Sequence, residues 1–415
     1  MTSRKFALPT AVGTVLLAAV LAACTGPVGQ TSGSATQAPT TQTSDATPSG
    51  TPSTSTPKPD AVSFKSNVKN GASKVSVDTL VKVSASAGTV SKVNLSYTGK
   101  SSSGKTKKGT VHGTLSKDHK RWTATERLEP ATSYKLAMAG KNVANQASSS
   151  TSTFKTKNLS LSKQTFPTLY PLKGSTVGVG MPVVLNFDVA VKNKKSIEKN
   201  LHVTSSPAQA GSWRWFSDTQ VRYRPAKYWK PGTKVSVHAD VNGVKAGNGI
   251  YGQSSAQTSF KVGRSMIIKI NLASDVAHVY RNGKMVRTIY VSAGKPGWAT
   301  RSGIKLIMDK EYNKKMTNEM IGAKEKYSLT AAYAMRLTNS GEFLHSAPWN
   351  SGYFGRVNHS HGCTGMSTYD AGWLISNTLI GDPVITTGTS RYMELGNGYG
   401  DWNISYKQYR KGSAV

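Results

Sequence analysis

Val93-Asn94-Leu95-Ser96-Tyr97 and Tyr134-Lys135-Leu136-Ala137-Met138 alternate apolar with polar or small residues, so that every second side chain can face a core. Shorter runs of the same kind, such as Val75-Ser76-Val77, are bounded by clusters of Gly, Asn, Ser or Pro. No helical period is sustained between residues 61 and 157. Short strands at regular intervals over a segment of this length predict a β-sandwich.

A second segment, residues 158–263, repeats this pattern. Val183-Val184-Leu185-Asn186-Phe187 is a clear predicted strand, and the lysine-rich stretch Lys192–Lys195 is also interpreted as strand-like. The run from Tyr223 to Val235 resembles part of a bacterial immunoglobulin-like domain, and Trp229 within it is expected to pack in the core. The sequence therefore predicts two consecutive immunoglobulin-like sandwiches.

The third segment, residues 264–388, is also predicted to be rich in strands. Ile267–Leu272 alternates in the same way, and Arg281-Asn282-Gly283-Lys284 is typical of a two-residue hairpin turn. One helix is predicted to begin after the capping residue Ser367 and to run towards Leu379. The remaining tail, residues 389–415, is expected to fold back onto this third segment.

The amino terminus carries the pattern of an export signal. Arg4 and Lys5 precede an apolar run that is too short for a membrane-spanning helix. Leu21-Ala22-Ala23-Cys24 resembles a bacterial lipobox, which implies that Cys24 becomes the lipidated amino terminus of the mature protein. An ordinary signal peptide whose cleavage site happens to contain Cys remains an alternative. Residues 1–23 are thus predicted to be a signal peptide, and residues 24–60, rich in Ser, Thr and Pro, a disordered linker.

The charge balance points to an anionic environment. Lys and Arg outnumber Asp and Glu by 53 to 20, which gives a formal net charge of +33. The basic residues are scattered and no nucleic-acid-binding motif accompanies them, so nucleic acid is not predicted as a partner. The anionic cell envelope is the predicted partner, with a merely soluble basic surface as the alternative.

The chemistry of the chain is concentrated around one cysteine. Cys24 and Cys363 are the only cysteines, so lipidation of Cys24 would leave Cys363 as an unpaired thiol in an exported protein. His345 lies sixteen positions before His361, in the element Ser360-His361-Gly362-Cys363. An imidazole close to a thiol can remove its proton, so Cys363 is the candidate nucleophile and His345 the candidate base. Two alternatives stay open, a zinc site formed by His345, His361 and Cys363 with His359, and an inert structural cluster.

This spacing resembles the active-site signature of the L,D-transpeptidases with a YkuD-type catalytic domain. Ser340–Trp349 and the tail element Gly400-Asp401-Trp402-Asn403 are similar to actinobacterial members, which also carry two immunoglobulin-like domains and a lipoprotein signal. The resemblance implies a mainly β fold with one or two short helices in the catalytic domain, and it implies roles for the following residues. These are Cys363 as nucleophile, His345 as general acid/base, the Ser346 carbonyl as its orienting group, His361 as pocket support, Gly362 with Cys363 as oxyanion donors, and Tyr327, Ser340, Gly341, Trp349 and Gly365 as substrate contacts.

The resemblance also implies an activity. The family joins peptidoglycan stems by 3→3 cross-links, through a cysteinyl thioester and with release of D-alanine, and it uses no cofactor or metal. The implied partners are donor and acceptor tetrapeptide stems, and carbapenem-type β-lactams are the implied covalent inhibitors. An L,D-carboxypeptidase, a ligase of protein to peptidoglycan and a non-catalytic wall-binding lipoprotein are the alternatives. The expected location is outside the cytoplasm, anchored by lipid to the plasma membrane and facing the cell wall.

One position departs from the family pattern. Related enzymes carry Asn two residues after the cysteine, whereas this chain has Gly365. A side-chain contact from this position to substrate is therefore excluded, and only a backbone contact is expected.

Overall fold

The computed structural model describes residues 58–100 and 104–415. The predicted signal peptide, Cys24 and the linker up to residue 57 lie outside these described residues. Within them, no helix is both long enough and apolar enough to cross a membrane. The predicted mainly β fold is confirmed by the strands that follow.

The first region forms a two-sheet sandwich. Its strands are β1 (Ser63–Ser66), β2 (Lys82–Ser86), β3 (Thr89–Lys100), β4 (Thr106–Val111), β5 (Gly113–Leu115), β6 (Arg121–Ala124), β7 (Ser133–Lys141) and β8 (Ala147–Lys155). The sheets have the orders β1-β2-β6-β5 and β4-β3-β7-β8, and Leu95, Trp122 and Leu136 lie buried in the core between them. The alternation seen in the sequence of β3 and β7 is the alternation of core and solvent faces.

The second region is built in the same way with shorter strands. These are β9 (Gln164–Thr165), β10 (Pro167–Tyr170), β11 (Thr176–Val177), β12 (Val183–Phe187), β13 (Leu201–Ser206), β14 (Gly211–Trp215), β15 (Gln220–Pro225), β16 (Lys234–Ala239), β17 (Lys245–Gly247), β18 (Ile250–Gly252) and β19 (Ala256–Val262). They pair in the orders β10-β12-β15-β14, β11-β19-β16-β13 and β17-β18-β9. Trp229 is buried in the core as predicted, and its Nε1 donates to Met181 O at 2.8 Å.

Two predicted strands of these regions are wrong. The lysine-rich stretch after residue 192 enters helix α1 (Lys194–Glu198), because Asn193 Oδ1 accepts a hydrogen bond from Ser196 N at 3.1 Å and caps the helix. Val75 makes only an isolated bridge to Thr156, and the chain turns directly after it.

The third region contains two sheets and one longer helix. Its elements are β20 (Met266–Asn271), β21 (Val276–Arg281), β22 (Lys284–Tyr290), β23 (Gly303–Leu306), β24 (Asp309–Thr317), β25 (Ser328–Arg336), β26 (Phe343–Ser346), β27 (Thr364–Met366), α2 (Thr368–Asn377), β28 (Pro383–Thr387) and, in the tail, α3 (Tyr406–Arg410). The sheet orders are β22-β21-β20-β28-β23 and β24-β25-β26-β27. Leu374 of α2 joins Ile268 of the first sheet and Leu344 of the second in one core.

Two local predictions in this region are confirmed. Asn282 and Gly283 have φ angles of 50° and 83°, as a two-residue turn between β21 and β22 requires. Helix α2 begins after Ser367, whose Oγ accepts a hydrogen bond from Asp370 N at 3.0 Å.

The tail contacts two regions rather than one. Asn403 bonds both backbone groups of Ile304 at 2.7 Å, which attaches the tail to the third region as predicted. Asp401 is fully buried and forms an ion pair with Arg222 of the second region at 3.0 Å. The tail therefore packs on the second region as well as on the third.

Strands pair within each of the three regions across the described ranges. This agrees with two sandwiches followed by a β-rich region, while the residues chosen as their boundaries stay predictions. The third region holds the candidate site, since it carries His345 on β26 and Cys363 directly before the adjacent strand β27.

Candidate active site

Strands β26 and β27 bring the two central residues together. They pair in parallel, with His345 opposite Gly365 and Leu344 opposite Thr364. Cys363 directly precedes β27, so this register places it beside β26. Both residues line a cavity of about 390 Å³, whose other lining residues include Lys295, Glu325, Tyr327, Arg336, Gly341, Trp349 and His361.

The imidazole of His345 is held in one tautomer. Its Nδ1 lies 2.8 Å from Ser346 O. A carbonyl oxygen can only accept, so Nδ1 carries the proton and Nε2 is left free to take one. His345 is only 5% exposed, and burial lowers the pKa of its ring. The ring of Trp349 stacks against it with centroids 6.0 Å apart, so the imidazole is held in one orientation.

The thiol of Cys363 is protonated at neutral pH. Burial raises its pKa to about 12, and the charge of Glu342 acts in the same direction. Its Sγ donates to Gly341 O at a distance of 3.4 Å. Burial thus acts on both groups in the same sense, favouring the thiol of Cys363 and the neutral imidazole of His345.

Hydrogen bonds fix the turn that presents Cys363. Gly362 adopts a φ of +117°, which favours glycine, and its carbonyl accepts from Thr300 Oγ1 at 2.8 Å. The hydroxyl of Ser360 donates to Cys363 O at 2.6 Å and accepts from Gly362 N at 3.1 Å. The predicted oxyanion donor Gly362 thus already has an acceptor in the resting site.

A buried cluster of charges lies behind the turn. Glu342 accepts from Arg301 Nη1 at 2.9 Å and from Lys305 Nζ at 2.8 Å, and the three side chains are at most 8% exposed. A Cβ added at Gly362 would lie 4.0 Å from Glu342 Cγ, so the cluster borders the turn directly. Burial lowers the pKa of the Lys305 ammonium, and Glu342 opposes this effect.

The opposite side of the cavity is covered by the connection between β24 and β25, residues 318–327, here called the lid segment. Tyr327 stacks on the His361 ring with centroids 5.3 Å apart. Glu325 bonds His361 Nε2 at 3.0 Å and Lys295 Nζ at 2.8 Å, and its side chain is 65% exposed. The ring of His361 therefore joins the lid segment to the turn that carries Cys363, and its role as pocket support stays a prediction.

Two predicted substrate residues occupy other positions. Ser340 lies outside the cavity lining, where its Oγ accepts from Asn397 Nδ2 at 2.9 Å. Gly365 bonds Ser292 through both backbone groups, at 2.8 and 3.0 Å. A backbone contact from Gly365 to substrate would have to break one of these bonds.

The zinc alternative finds no support in the geometry. His359 turns aside and stacks on Tyr353, with ring centroids 4.1 Å apart. Across residues 58–100 and 104–415, no group of three His, Cys, Asp or Glu side chains is arranged to hold a metal ion.

The chain is similar to known protein families in two of its parts. The family model of the L,D-transpeptidase catalytic domain matches residues 265–386, and that of a bacterial Ig domain matches residues 72–245. L,D-transpeptidase 2 of Mycobacterium tuberculosis (strain CDC 1551 / Oshkosh) is 33% identical over 353 residues, which is 84% of this chain and 84% of the relative. The chain belongs to the L,D-transpeptidase family.

Other L,D-transpeptidases are similar to a smaller part of this chain. L,D-transpeptidase 1 of Mycobacterium tuberculosis (strain H37Rv) is 33% identical over 222 residues, 52% of this chain and 83% of its own. Among solved structures, LD transpeptidase LdtMt1 in complex with imipenem shares 32% identity, with a TM-score of 0.47 over 53% of this chain and 97% of its own.

Several residues that shape the site of this L,D-transpeptidase were not predicted from its sequence. Lys305 stands inside the apolar run Ile304-Lys305-Leu306-Ile307, and Glu342 directly precedes Phe343-Leu344. A charged residue inside a predicted buried strand is a signal for a buried ion pair, and this signal could have identified both. No signal of this kind was present for Ser360.

Proposed function

We propose that this L,D-transpeptidase forms 3→3 cross-links between peptidoglycan stems through a thioester on Cys363. The proposal rests on one observation: the Cys363 thiol and His345, whose Nε2 is unprotonated, line the same cavity. The volume of this cavity, about 390 Å³, is large enough for a short peptide segment.

The first step is acylation of Cys363. The sulfur bonds to the carbonyl carbon of the third stem residue while His345 Nε2 takes the thiol proton. His345 then gives this proton to the nitrogen of the terminal D-alanine, the C–N bond breaks, and D-alanine leaves. A thioester remains on Cys363, and His345 is neutral again.

The second step transfers the acyl group to another stem. The side-chain amine of the third residue of an acceptor stem attacks the thioester carbonyl and loses a proton to His345. The C–S bond breaks, the sulfur recovers the proton from His345, and the new amide is the 3→3 cross-link. Because burial favours the neutral thiol and the neutral imidazole, His345 can accept the thiol proton directly in the first step.

Negative charge develops on the carbonyl oxygen in both steps. We assign its stabilisation to the backbone N–H groups of Cys363 and Gly362. Gly362 N donates to Ser360 Oγ in the resting site, so this amide has to exchange one acceptor for another when substrate enters.

Product analysis with a tetrapeptide donor tests the proposal. We expect the wild-type chain to release D-alanine and to form a cross-linked dimer with a stem that offers the acceptor amine. Cys363→Ala should abolish both products, and His345→Gln should reduce them by roughly 10³-fold or more. His278→Gln, the same change at a histidine on β21 outside the cavity, should leave both unchanged. Dimer formation by Cys363→Ala would overturn the proposal.

The same experiment separates the alternatives that share this chemistry. A tripeptide product without any dimer would indicate an L,D-carboxypeptidase, because water then resolves the thioester. Attachment of the acyl group to a protein amine would indicate a ligase. No product from an intact chain whose Cys363 remains alkylatable would indicate a wall-binding protein without activity.

We further propose that β-lactams of the carbapenem class acylate Cys363. Their strained carbonyl offers the same electrophile as the donor amide, and ring opening needs no leaving group to depart. Incubation with imipenem should add its mass to the wild-type chain and none to Cys363→Ala.

For the location, we propose a lipid anchor on Cys24 that holds the enzyme at the outer face of the plasma membrane. The short apolar run and Leu21-Ala22-Ala23-Cys24 support this. Cys24→Ala should abolish labelling by radioactive palmitate, and full labelling of that variant would overturn the anchor.

We also propose attraction to the anionic envelope through one face of the first sandwich. The outward side of β4-β3-β7-β8 carries exposed lysines, and these four strands contain no Asp or Glu. These lysines include Lys92, Lys100, Lys108, Lys135 and Lys155. Changing Lys100, Lys108, Lys135 and Lys155 to Gln should weaken cosedimentation with sacculi at low salt more than the same change at Lys65, Lys69, Lys82 and Lys117. Equal losses of sacculus binding in the two variants would show that net charge, and not this face of the sandwich, causes the attraction.

A further inference from the structure

Arg336 is a cation in the catalytic cavity that lacks a carboxylate partner. The other charged lining residues Lys295 and Glu325 pair with each other at 2.8 Å. Among the residues that the structure describes, no carboxylate oxygen lies within 4.0 Å of the Arg336 guanidinium. Its Nη1 is 3.5 Å from Thr338 O, a long contact, and the guanidinium carbon lies 4.5 Å from the centroid of the Phe343 ring.

Eight other arginines of the described residues are buried or half-buried, and only some of them have a carboxylate partner; Arg224, which is 2% exposed, bonds backbone carbonyls instead. Carboxylates bind four of the eight at 2.7–3.2 Å, and the pairs are Arg222–Asp401, Arg264–Asp382, Arg287–Asp370 and Arg301–Glu342. Asp309 lies opposite Arg336 in the register of β24 and β25, but its Oδ1 accepts from Lys310 N at 2.8 Å. The guanidinium of Arg336 therefore keeps its capacity to bind an anion.

Arg336 also lies close enough to Cys363 to act on it electrostatically. Burial is the main influence on the pKa of the Cys363 thiol and raises it, while the positive charge of Arg336 acts in the opposite direction. Arg336 is directly opposite Phe343 in the register of β25 and β26, two residues before His345. The cation thus borders the place where the scissile carbonyl has to lie.

We propose that Arg336 binds the terminal carboxylate of the donor stem. This inference rests on the proposed function. In a stem that ends in D-alanine, only the leaving nitrogen and one Cα separate the scissile carbonyl carbon from the terminal carboxylate carbon. Standard bond lengths keep these two carbons within about 4 Å of each other. A group that recognises this carboxylate must therefore line the same cavity as Cys363, and Arg336 offers the two parallel N–H donors that fit it.

The contact would select stems by their length. A stem that ends at the fourth residue presents a free carboxylate to Arg336. A stem with a fifth residue presents a neutral amide at this point, so the guanidinium would be left desolvated without a counter-charge. Arg336 would thus favour donors that have already lost their fifth residue, which places a carboxypeptidase-type reaction before this enzyme.

Two donors that differ in one group test the proposal. The donors are a tetrapeptide stem with a free terminal carboxylate and the same stem with a terminal carboxamide, and the readout is kcat/KM for thioester formation. We expect the wild type to prefer the acid by roughly 10- to 100-fold. Arg336→Gln should lower kcat/KM for the acid to the value for the amide, with little effect on the amide itself.

Matched variants complete the design. Arg336→Lys keeps the charge without the fork of donors and should retain part of the preference. Arg356→Gln changes an exposed arginine outside the cavity lining and should behave as the wild type.

Two results would overturn the inference. An acid preference that survives in Arg336→Gln would show that another group binds the carboxylate. An equal loss for both donors would show that Arg336 supports the cavity rather than the carboxylate. Failure of the proposed function looks different, because the wild type would then form no thioester with either donor while iodoacetamide still alkylates Cys363.

Discussion

Two glutamates approach the turn that carries Cys363 from opposite sides, and each bridges two basic groups. Glu342 lies behind the turn with Arg301 and Lys305, in a cluster that is at most 8% exposed. Glu325 lies on the lid segment with Lys295 and His361, and its side chain is 65% exposed. A glutamate that bridges two basic side chains thus occurs once in the buried interior and once at a partly exposed position.

This difference in burial separates the functions of the two clusters. A charge buried without a partner is strongly destabilising, so the cluster around Glu342 fixes the position of the Cys363 turn. An exposed pair is weak and is screened by salt, so the cluster around Glu325 can open when substrate enters. We therefore expect the turn that carries Cys363 to be held more firmly than the lid segment.

Glu342→Gln should produce the largest effect. It leaves Lys305 fully buried without an anion, and we expect the free energy of unfolding to fall by about 3–5 kcal/mol, measured by urea denaturation. Glu325→Gln, the same chemical change on the lid segment, should leave this free energy unchanged. Equal effects of the two substitutions would contradict the comparison.

The pH dependence of Cys363 alkylation should sharpen the comparison. Because burial and Glu342 raise the pKa of the thiol, the rate with iodoacetamide should keep rising about tenfold per pH unit from pH 7 to beyond pH 9. Glu342→Gln removes a negative charge next to the thiol and should lower its pKa, whereas Glu325→Gln should not change it. A rate that is constant between pH 6 and 8 would indicate a thiolate–imidazolium pair instead.

Glu325→Gln should produce the smallest effect, and it should appear in substrate binding. Loss of the contacts to Lys295 and His361 loosens the lid segment, so we expect KM for the donor to rise roughly two- to five-fold. The wild-type KM should rise with ionic strength towards that of the variant, because salt screens the same contacts. Glu319→Gln, at a glutamate of the lid segment without an ion pair among the described residues, serves as the control. A salt-independent wild-type KM would argue against an electrostatic cover.

The sequence predicted those parts of the site that depend on local order along the chain. His345 lies on β26, and the element Ser360–Cys363 is the turn that leads directly into the neighbouring strand β27, so the short spacing of the motif was sufficient to pair them. The contact from His345 Nδ1 to Ser346 O is also local and was anticipated. The hairpin at Asn282 and the cap at Ser367 were predictable for the same reason.

The sequence could not predict the contacts that depend on tertiary packing. Glu342 meets Arg301 and Lys305 across 41 and 37 residues, and only the pairing of distant strands brings them together. Asn193 ends a strand-like pattern by capping a helix, which the alternation of lysines concealed. Gly365 was expected to face substrate, but its backbone is engaged by Ser292 from another part of the chain.

The central claim is that Cys363 forms a thioester with the donor stem, and the mass of the intact protein tests it most directly. After brief incubation with a tetrapeptide donor and no acceptor, acid quenching should trap a chain heavier by the tripeptide acyl group. Digestion should locate this mass on the peptide that contains Cys363, and Cys363→Ala should show no adduct. An adduct on another residue, or cross-linked product from a wild-type chain that never carries the acyl group, would contradict the account.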